Sequence, residues 1–262
     1  MRIDLDGKTA FVSGSTQGIG RAIAARLAEC GAVVHVNGRS RERVEAAVAE
    51  LRGEQPDARF EAAAVDVVSD ADALFAALPE VDILVNNLGI FGPKPLLEVD
   101  DDEWQRYWDV NVMSGIRLTR HYIRGMAARG WGRVQFMASD SAVVIPEEMV
   151  HYGVTKTALL GVSRGFAKVV AGTGVTVNAV IAGPTHTEGV EDFVRELVGT
   201  DLPWDEASAK FVREHRPTSL IGRLIEPAEI ANLCAYLASE EASATTGGAI
   251  RVDGGFVDNI VL

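Results

Sequence analysis

The chain has 262 residues and a composition, 47% hydrophobic and 24% charged, that excludes the highly charged, weakly hydrophobic regime in which chains stay disordered. Its formal net charge of -12 disfavours nucleic acid and anionic membrane surfaces as partners. Cys30 and Cys234 stand far apart in apolar helical patterns, and no histidine pair has ligand spacing on one helix face, so we expect buried, inert thiols and no bound metal.

Short apolar runs rich in valine and isoleucine alternate with segments of helical period, which predicts βαβ units and a parallel sheet. The continuous apolar character of the runs is typical of parallel strands buried on both faces. We therefore expect an α/β fold with a Rossmann-type, doubly wound parallel sheet of about seven strands and helices on both faces. The strands are placed at residues 9–13, 33–37, 59–65, 83–86, 133–138, 176–181 and 248–252.

The first predicted strand runs directly into a glycine-rich loop, Gly14-Ser15-Thr16-Gln17-Gly18-Ile19-Gly20, and then into a helix that Gly31 ends. Glycines in this setting let the backbone approach a pyrophosphate at the helix N-terminus. The loop therefore predicts a nucleotide site, and a plain turn is the alternative.

The second predicted strand ends in Asn37-Gly38-Arg39-Ser40, without the acidic residue that would bind the ribose 2′-hydroxyl of NAD. An arginine fork at this place suits a 2′-phosphate. We therefore expect NADP(H) as the preferred cofactor, with NAD(H) possible. The alternative for Arg39 is a solvated charge that caps the next helix.

The chain carries few signs of division or targeting. Its first apolar run, Thr9–Val12, is too short for a signal-peptide core or a membrane span, which favours a cytoplasmic protein. No linker, repeat or composition shift marks a boundary, so we predict one domain over residues 1–262. Residues 185–217 interrupt the alternation of strands and helices with segments of weak helical periodicity, in a place typical of a substrate lid.

Tyr152 and Lys156 are four residues apart, a spacing that places both on one face of a helix. A nearby ammonium lowers the pKa of a phenol from about 10 toward the working pH, so the pair can exchange a proton. Taken alone, such a pair is usually a surface feature, so other residues of the sequence decide whether it is catalytic.

Ser139 stands thirteen residues before Tyr152, and Asn111 lies further upstream. Together with the glycine loop and the Tyr-Lys pair, these residues resemble the pattern of the short-chain dehydrogenase/reductase family, in its compact single-domain branch. The resemblance covers essentially the whole chain and is close to 3-oxoacyl reductase-like members. Leu88 and Ala182 depart from the family pattern, where a small alanine and a proline are usual. Further matching stretches are Asp66-Val67, Asn86-Asn87-Leu88-Gly89, Gly183-Pro184 and Asp253-Gly254-Gly255.

The resemblance implies a catalytic role for four residues. Tyr152 would be the acid/base, Lys156 would hold the nicotinamide ribose and lower the pKa of the tyrosine, and Ser139 would bind the substrate oxygen. Asn111 would anchor a water linked to Lys156. Ser141 competes with Ser139, and only the thirteen-residue spacing favours Ser139.

The resemblance also assigns cofactor contacts. Asp66 and Val67 would border the adenine, and Asn87 and Gly89 would line the cofactor cleft. The stretch after the sixth strand would approach the nicotinamide half, although its threonines could instead be turn-capping hydroxyls. The full predicted cofactor set is Gly14, Ser15, Thr16, Gly18, Ile19, Gly20, Arg39, Asp66, Val67, Asn87, Gly89, Tyr152, Lys156, Gly183, Thr185 and Thr187.

These assignments imply hydride exchange between NADP(H) and a carbonyl or secondary alcohol of a small molecule, free or CoA-linked. A catalytically silent nucleotide-binding regulator on the same fold is the alternative. By resemblance alone, we expect a homo-oligomer, specifically a tetramer.

Overall fold

The computed structural model describes residues 3–199 and 201–260 of the chain. Both ends of the predicted domain, residues 1–2 and 261–262, and residue 200 of the predicted lid lie outside the described residues. Over the described ranges, no helix is long and apolar enough to cross a membrane.

The strands form one sheet in the order β3-β2-β1-β4-β5-β6-β7, and every neighbouring pair is parallel. This confirms the predicted fold class. The central strand is β1, whose Ala10 lies between Val34 of β2 and Ile83 of β4. The strands are β1 Thr9–Val12, β2 Val33–Gly38, β3 Arg59–Ala64, β4 Ile83–Asn86, β5 Gly132–Ser139, β6 Val175–Ala182 and β7 Ala249–Val252.

Strands β5 and β6 each extend past both of their predicted ends, because they pair along their whole length from Gly132 opposite Val175 to Ser139 opposite Ala182. This continuous pairing places Ser139 at the carboxyl edge of the sheet. Ligands of doubly wound sheets bind along that edge.

Helices cover both faces of the sheet. On one face α1, α2 and α9 pack on a cluster that includes Leu27, Leu51, Phe60 and Ile230, which we call the first sheet cluster. On the other face α5 and α6 pack on the second sheet cluster, which includes Phe136. The helices are α1 Gly18–Glu29, α2 Arg41–Glu54, α3 Ala71–Ala77, α4 Asp101–Trp108, α5 Ser114–Arg129, α6 Val150–Val169, α7 Glu188–Val198, α8 Trp204–His215 and α9 Pro227–Ala238.

The expectation of two buried thiols is right for Cys234 and wrong for Cys30. Cys234 is buried under the sheet within α9. Cys30 caps the C-terminus of α1, where the helix ends before Gly31, and is only partly buried. Partial burial raises the pKa of the Cys30 thiol.

The predicted lid segment is more regular than its sequence pattern indicated. It folds into α7 and α8, two amphipathic helices whose apolar sides meet in a small separate core. We call this core the lid cluster, and Tyr152 packs against it. Its buried members are Met149, Phe193, Val194, Val198, Ala207, Phe211, Val212 and Leu224.

Candidate active site

A cleft of about 310 Å³ opens at the carboxyl edge of the sheet, where the strand order reverses between β1 and β4. This switch point is where doubly wound folds bind ligands, because the loops after the two strands separate there. The predicted site residues that line the cleft are Gly14, Gly18, Ile19, Gly20, Asn87, Gly89, Ser139, Tyr152, Lys156, Gly183, Thr185 and Thr187.

The glycine loop adopts a backbone that side chains would obstruct. Gly14 and Gly18 have φ of +62° and +56°, in the left-handed region that favours glycine. A Cβ on Gly20 would overlap the Gly14 carbonyl oxygen and the Asn87 amide. The loop thus leaves an open backbone cradle in front of the first turn of α1, which fits the pyrophosphate of a dinucleotide.

Three polar side chains hold this loop against the sheet, and sequence reasoning identified only one of them. The Ser13 hydroxyl accepts the backbone N–H groups of Asn87 and Leu88 at 3.0 Å each. The Asn37 side chain accepts the Gly14 N–H at 3.2 Å. The Asn87 amide donates to the Ser13 and Gly14 carbonyls at 3.0 and 2.9 Å. No local pattern marks Ser13 or Asn37, because their partners lie on other strands.

Some predicted cofactor residues lie behind or beside the cleft. Ser15 is fully buried, and its hydroxyl donates to the Val12 carbonyl and accepts the Asn37 N–H, so it supports the loop from behind. The Val67 side chain is buried in the second sheet cluster. Asp66 accepts the Val68 N–H at 3.0 Å and lies outside the cleft lining, as does Thr16.

Arg39 is exposed just past the end of β2. The cap of α2 is Ser40, whose hydroxyl accepts the Arg43 N–H. The alternative for Arg39, a solvated charge that caps α2, is therefore wrong for the cap and agrees with the structure for the exposure.

Tyr152, Lys156 and Ser139 meet on the floor of the cleft. The shared face of α6 brings the Lys156 ammonium to 5.5 Å from the centre of the Tyr152 ring, and this ammonium donates to the Met137 carbonyl at 2.8 Å. The Ser139 hydroxyl lies close enough to the Tyr152 hydroxyl to lower the pKa of the tyrosine. Ser141 also lines the cleft beside Ser139.

The electrostatics of the pair differ from the simple expectation. Burial raises the pKa of Tyr152 above its ordinary value, and the nearby Ser139 hydroxyl acts in the opposite direction. The expected lowering of this pKa by Lys156 does not accompany these effects, so desolvation of the hydroxyl dominates. Burial lowers the pKa of Lys156 to about 8. The tyrosine is thus held in its protonated form, with an ammonium beside it at neutral pH.

Asn111 lies behind the floor of the cleft, in a widened helical turn, Asp109–Met113, between α4 and α5. Its amide donates to the Ile90 carbonyl and the Thr155 hydroxyl, each at 3.0 Å, and its oxygen accepts the Ile90 N–H at 2.8 Å. The Thr155 hydroxyl in turn donates to the Tyr152 carbonyl at 2.7 Å. Asn111 therefore positions both the loop after β4 and the helix that carries Tyr152.

The chain after β6 closes over the glycine loop. The Thr185 hydroxyl donates to the Gly183 carbonyl at 2.8 Å, and Thr187 caps α7 by accepting the Val190 N–H. Both hydroxyls thus make hydrogen bonds within a turn or a helix cap, which is the alternative role that the sequence left open for these threonines. A Cβ on Gly18 would lie 3.3 Å from the Thr187 methyl, so the start of the lid lies directly across from the loop.

Three charged residues that the sequence did not single out also line the cleft, namely Asp140, Glu188 and Arg216. Asp140 directly follows Ser139, and its carboxylate accepts the Ser139 hydroxyl at 2.8 Å. Arg216 follows α8 and lies over the Phe211 and Phe256 rings at 5.2 Å from each centre. Asp140 is predictable from sequence as the neighbour of the expected substrate-binding serine, whereas nothing in the sequence near Arg216 indicates a site.

Leu88, which departs from the family pattern, lines the cleft and packs against the glycine loop. A Cβ on Gly14 would lie 3.2 Å from Leu88. The larger side chain therefore fills space in the cleft beside the glycine loop.

Comparison with known proteins places the chain among oxidoreductases. Residues 14–257 match the family model described as enoyl-(acyl carrier protein) reductase. The chain is 49% identical to the oxidoreductase YvaG of Bacillus subtilis, over 99% of this chain and 100% of the relative. It is 33% identical to the 3-oxoacyl-[acyl-carrier-protein] reductase FabG of Aquifex aeolicus, over 97% and 99%. The L-sorbose reductase of Gluconobacter frateurii, solved with NADPH and L-sorbose, superposes with a TM-score of 0.90 at 32% identity, over 99% and 100%.

Proposed function

Because this chain belongs to the short-chain dehydrogenase/reductase family, we propose that it interconverts a carbonyl compound and its secondary alcohol with NADP(H), and that Tyr152 moves the proton. The observation that carries the proposal is the meeting of Tyr152, Ser139 and Lys156 on the cleft floor, beside a backbone cradle that fits a dinucleotide.

Ser139, Tyr152 and Lys156 have separate roles in the proposed proton transfer. In the reduction direction, the Ser139 hydroxyl turns its single hydrogen from Asp140, its acceptor in this structure, to the carbonyl oxygen of the substrate. Tyr152 then gives its phenolic proton to the same oxygen, for which its raised pKa keeps it protonated. The Lys156 ammonium stabilises the phenolate that is left behind. NADPH, when bound, supplies the hydride. Oxidation of the alcohol reverses these steps.

The preference for NADP(H) rests on Arg39 and on related proteins. Arg39 is exposed past β2 and is free to pair with a 2′-phosphate, for which a guanidinium is well suited. Several structural neighbours were solved with NADP or NADPH, including a 3-oxoacyl reductase from Agrobacterium tumefaciens. A silent regulator on this fold would not need a proton donor, an ammonium and a serine hydroxyl at one point of the cleft.

The proposal is tested by replacing the proton donor. NADPH and NADH consumption is followed with a panel of ketones, aldehydes and 3-oxoacyl thioesters, and alcohol oxidation is followed in reverse. Tyr152→Phe should lower kcat/KM about 10²- to 10⁴-fold, the usual contribution of a general acid. NADPH affinity, measured by fluorescence titration, should remain close to that of the wild type.

Tyr236→Phe is the matched control, because Tyr236 lies in α9 and outside the cleft lining. It should leave turnover unchanged. Full turnover of a good substrate by Tyr152→Phe would refute the acid role.

A further inference from the structure

The cleft does not end at Ser139. A second cavity of about 280 Å³ lies beyond it, under the segment that follows α8. Asp140, Ser141 and Arg216 line both spaces and form the wall between them. A substrate whose carbonyl oxygen binds Ser139 and Tyr152 therefore extends toward these three side chains.

At this wall, Asp140 has a carboxyl oxygen that is not used in a hydrogen bond. Its side chain is 5% exposed. One carboxylate oxygen accepts the Ser139 hydroxyl at 2.8 Å and the Ser141 N–H at 2.7 Å. The other oxygen, Oδ2, is buried and has no partner among the described residues. A buried polar atom without a partner costs free energy, so a ligand group that bonds it gains affinity.

Arg216 offers the complementary donor. Its Nη1 donates to the His215 carbonyl at 2.7 Å, whereas its Nε–H is buried and has no partner among the described residues. Cation–π contacts with the Phe211 and Phe256 rings hold the guanidinium in place. Asp140 and Arg216 are close enough for the arginine to lower the pKa of the carboxyl, although burial raises it more. No hydrogen bond or ion pair within 4 Å joins these two described side chains.

The second cavity also carries both acidic and basic side chains. Its lining adds the acids Glu148 and Glu214 and the imidazole of His215 to Asp140 and Arg216, with a smaller apolar part formed by Val144, Pro146 and Phe256. An aliphatic acyl chain placed here would desolvate these groups without replacing their hydrogen bonds. An anionic tail would meet three carboxyl groups. A hydroxyl group suits both signs, because it donates to a carboxylate and accepts from a guanidinium, and it suits Asp140 in either protonation state.

We propose that the substrate is a polyhydroxylated carbonyl compound, and that Asp140 and Arg216 select it by bonding the hydroxyl group next to the reacting carbonyl. The inference rests on the proposed carbonyl reduction and names its substrate class. Arg216 and Asp140 are then the specificity-determining residues of the cleft, and the second cavity holds the further hydroxyl groups of a longer substrate.

The experiment compares two ketones with the same four-carbon skeleton, erythrulose with three hydroxyl groups and ethyl methyl ketone with none. The readout is the ratio of their kcat/KM values with NADPH. The wild type should favour erythrulose by at least about tenfold, the size expected for a hydrogen bond to a charged group. Arg216→Met, which keeps the length and the apolar stacking of the stem, should lower this ratio by about the same factor.

Asp140→Asn is the second variant, because it keeps the acceptor for Ser139 and changes the partner of the substrate hydroxyl. It should also lower the ratio. Arg213→Met is the matched control, since Arg213 is an exposed arginine on α8 that lines neither cavity, and its ratio should equal that of the wild type. NADPH titration and the Tm of each variant report whether it is folded.

The outcomes separate the two proposals. Equal kcat/KM for both ketones in the wild type, or a preference that survives both Arg216→Met and Asp140→Asn in folded protein, overturns the hydroxyl selection and leaves carbonyl reduction intact. A preference for a 3-oxoacyl thioester over erythrulose does the same. Absence of turnover with every carbonyl and alcohol tested overturns the proposed function, and this inference with it.

Discussion

The cofactor end of the cleft and its lid end are built by different means. At the cofactor end, the glycine loop is held by hydrogen bonds between the side chains of Ser13, Asn37 and Asn87 and backbone groups just after β1 and β4. At the lid end, α7 and α8 are held by the lid cluster, a core that is separate from both sheet clusters.

The two ends of the cleft therefore meet two different requirements of the proposed reaction, cofactor binding and substrate exchange. A dinucleotide presents the same pyrophosphate in every turnover, so a fixed backbone cradle suits it. In the proposed reaction the lid would admit and release substrate, and a small separate core can open without disturbing the sheet. Tyr152 lies where the two ends meet, because it packs against the lid cluster and faces the cleft floor.

The sharpest test of this division removes the aromatic centre of the lid. Phe211 is 1% exposed and packs on Phe193 and His215 at 6.1 and 5.5 Å between ring centres. Phe211→Ala should remove about 3–5 kcal/mol of packing. We expect faster amide hydrogen exchange in α7 and α8 with little change in β5, together with a raised KM for the carbonyl substrate.

Phe60→Ala is the matched control, because Phe60 is equally buried but belongs to the first sheet cluster. It should lower the Tm of the whole protein. Equal acceleration of exchange in the lid and the sheet by Phe211→Ala would contradict the separation of the two cores.

A smaller effect is expected from crowding the cofactor end. Gly20→Ala would force a Cβ into the Gly14 carbonyl and the Asn87 amide, so the loop has to shift. Overpacking of this kind costs about 1–3 kcal/mol, which corresponds to roughly 5- to 150-fold weaker NADPH binding in a fluorescence titration. Gly53→Ala, an exposed site in α2 with open space around it, should bind NADPH normally. Normal binding by Gly20→Ala would show that the cradle does not hold the pyrophosphate.

The smallest effect concerns cofactor choice. Arg39→Ala should weaken NADPH by about tenfold and leave NADH unchanged, because the lost bond is to the 2′-phosphate that NADH lacks. Arg41→Ala serves as the control, since Arg41 pairs with Glu45 at 3.6 Å. If Arg39→Ala leaves both affinities unchanged and Arg41→Ala does not, the phosphate-binding arginine is Arg41.

Much of the site was predictable because it depends on local chain geometry. The strand and helix periods located β1 to β7 to within about two residues, and a four-residue spacing on one helix put Tyr152 and Lys156 on one face. The lid was harder to interpret, because its two short helices bury their apolar sides against each other instead of the sheet.

By itself, the sequence determined the parallel α/β sheet, the glycine loop after its first strand and the Tyr152–Lys156 pair, since each follows from spacing along the chain. Tertiary structure alone decided the support of the loop by Ser13, 74 residues from Asn87, the burial that raises the pKa of Tyr152, and the meeting of Asp140 with Arg216. Desolvation and hydrogen bonding between distant segments depend on which surfaces pack together, and packing becomes defined only when the whole sheet has formed.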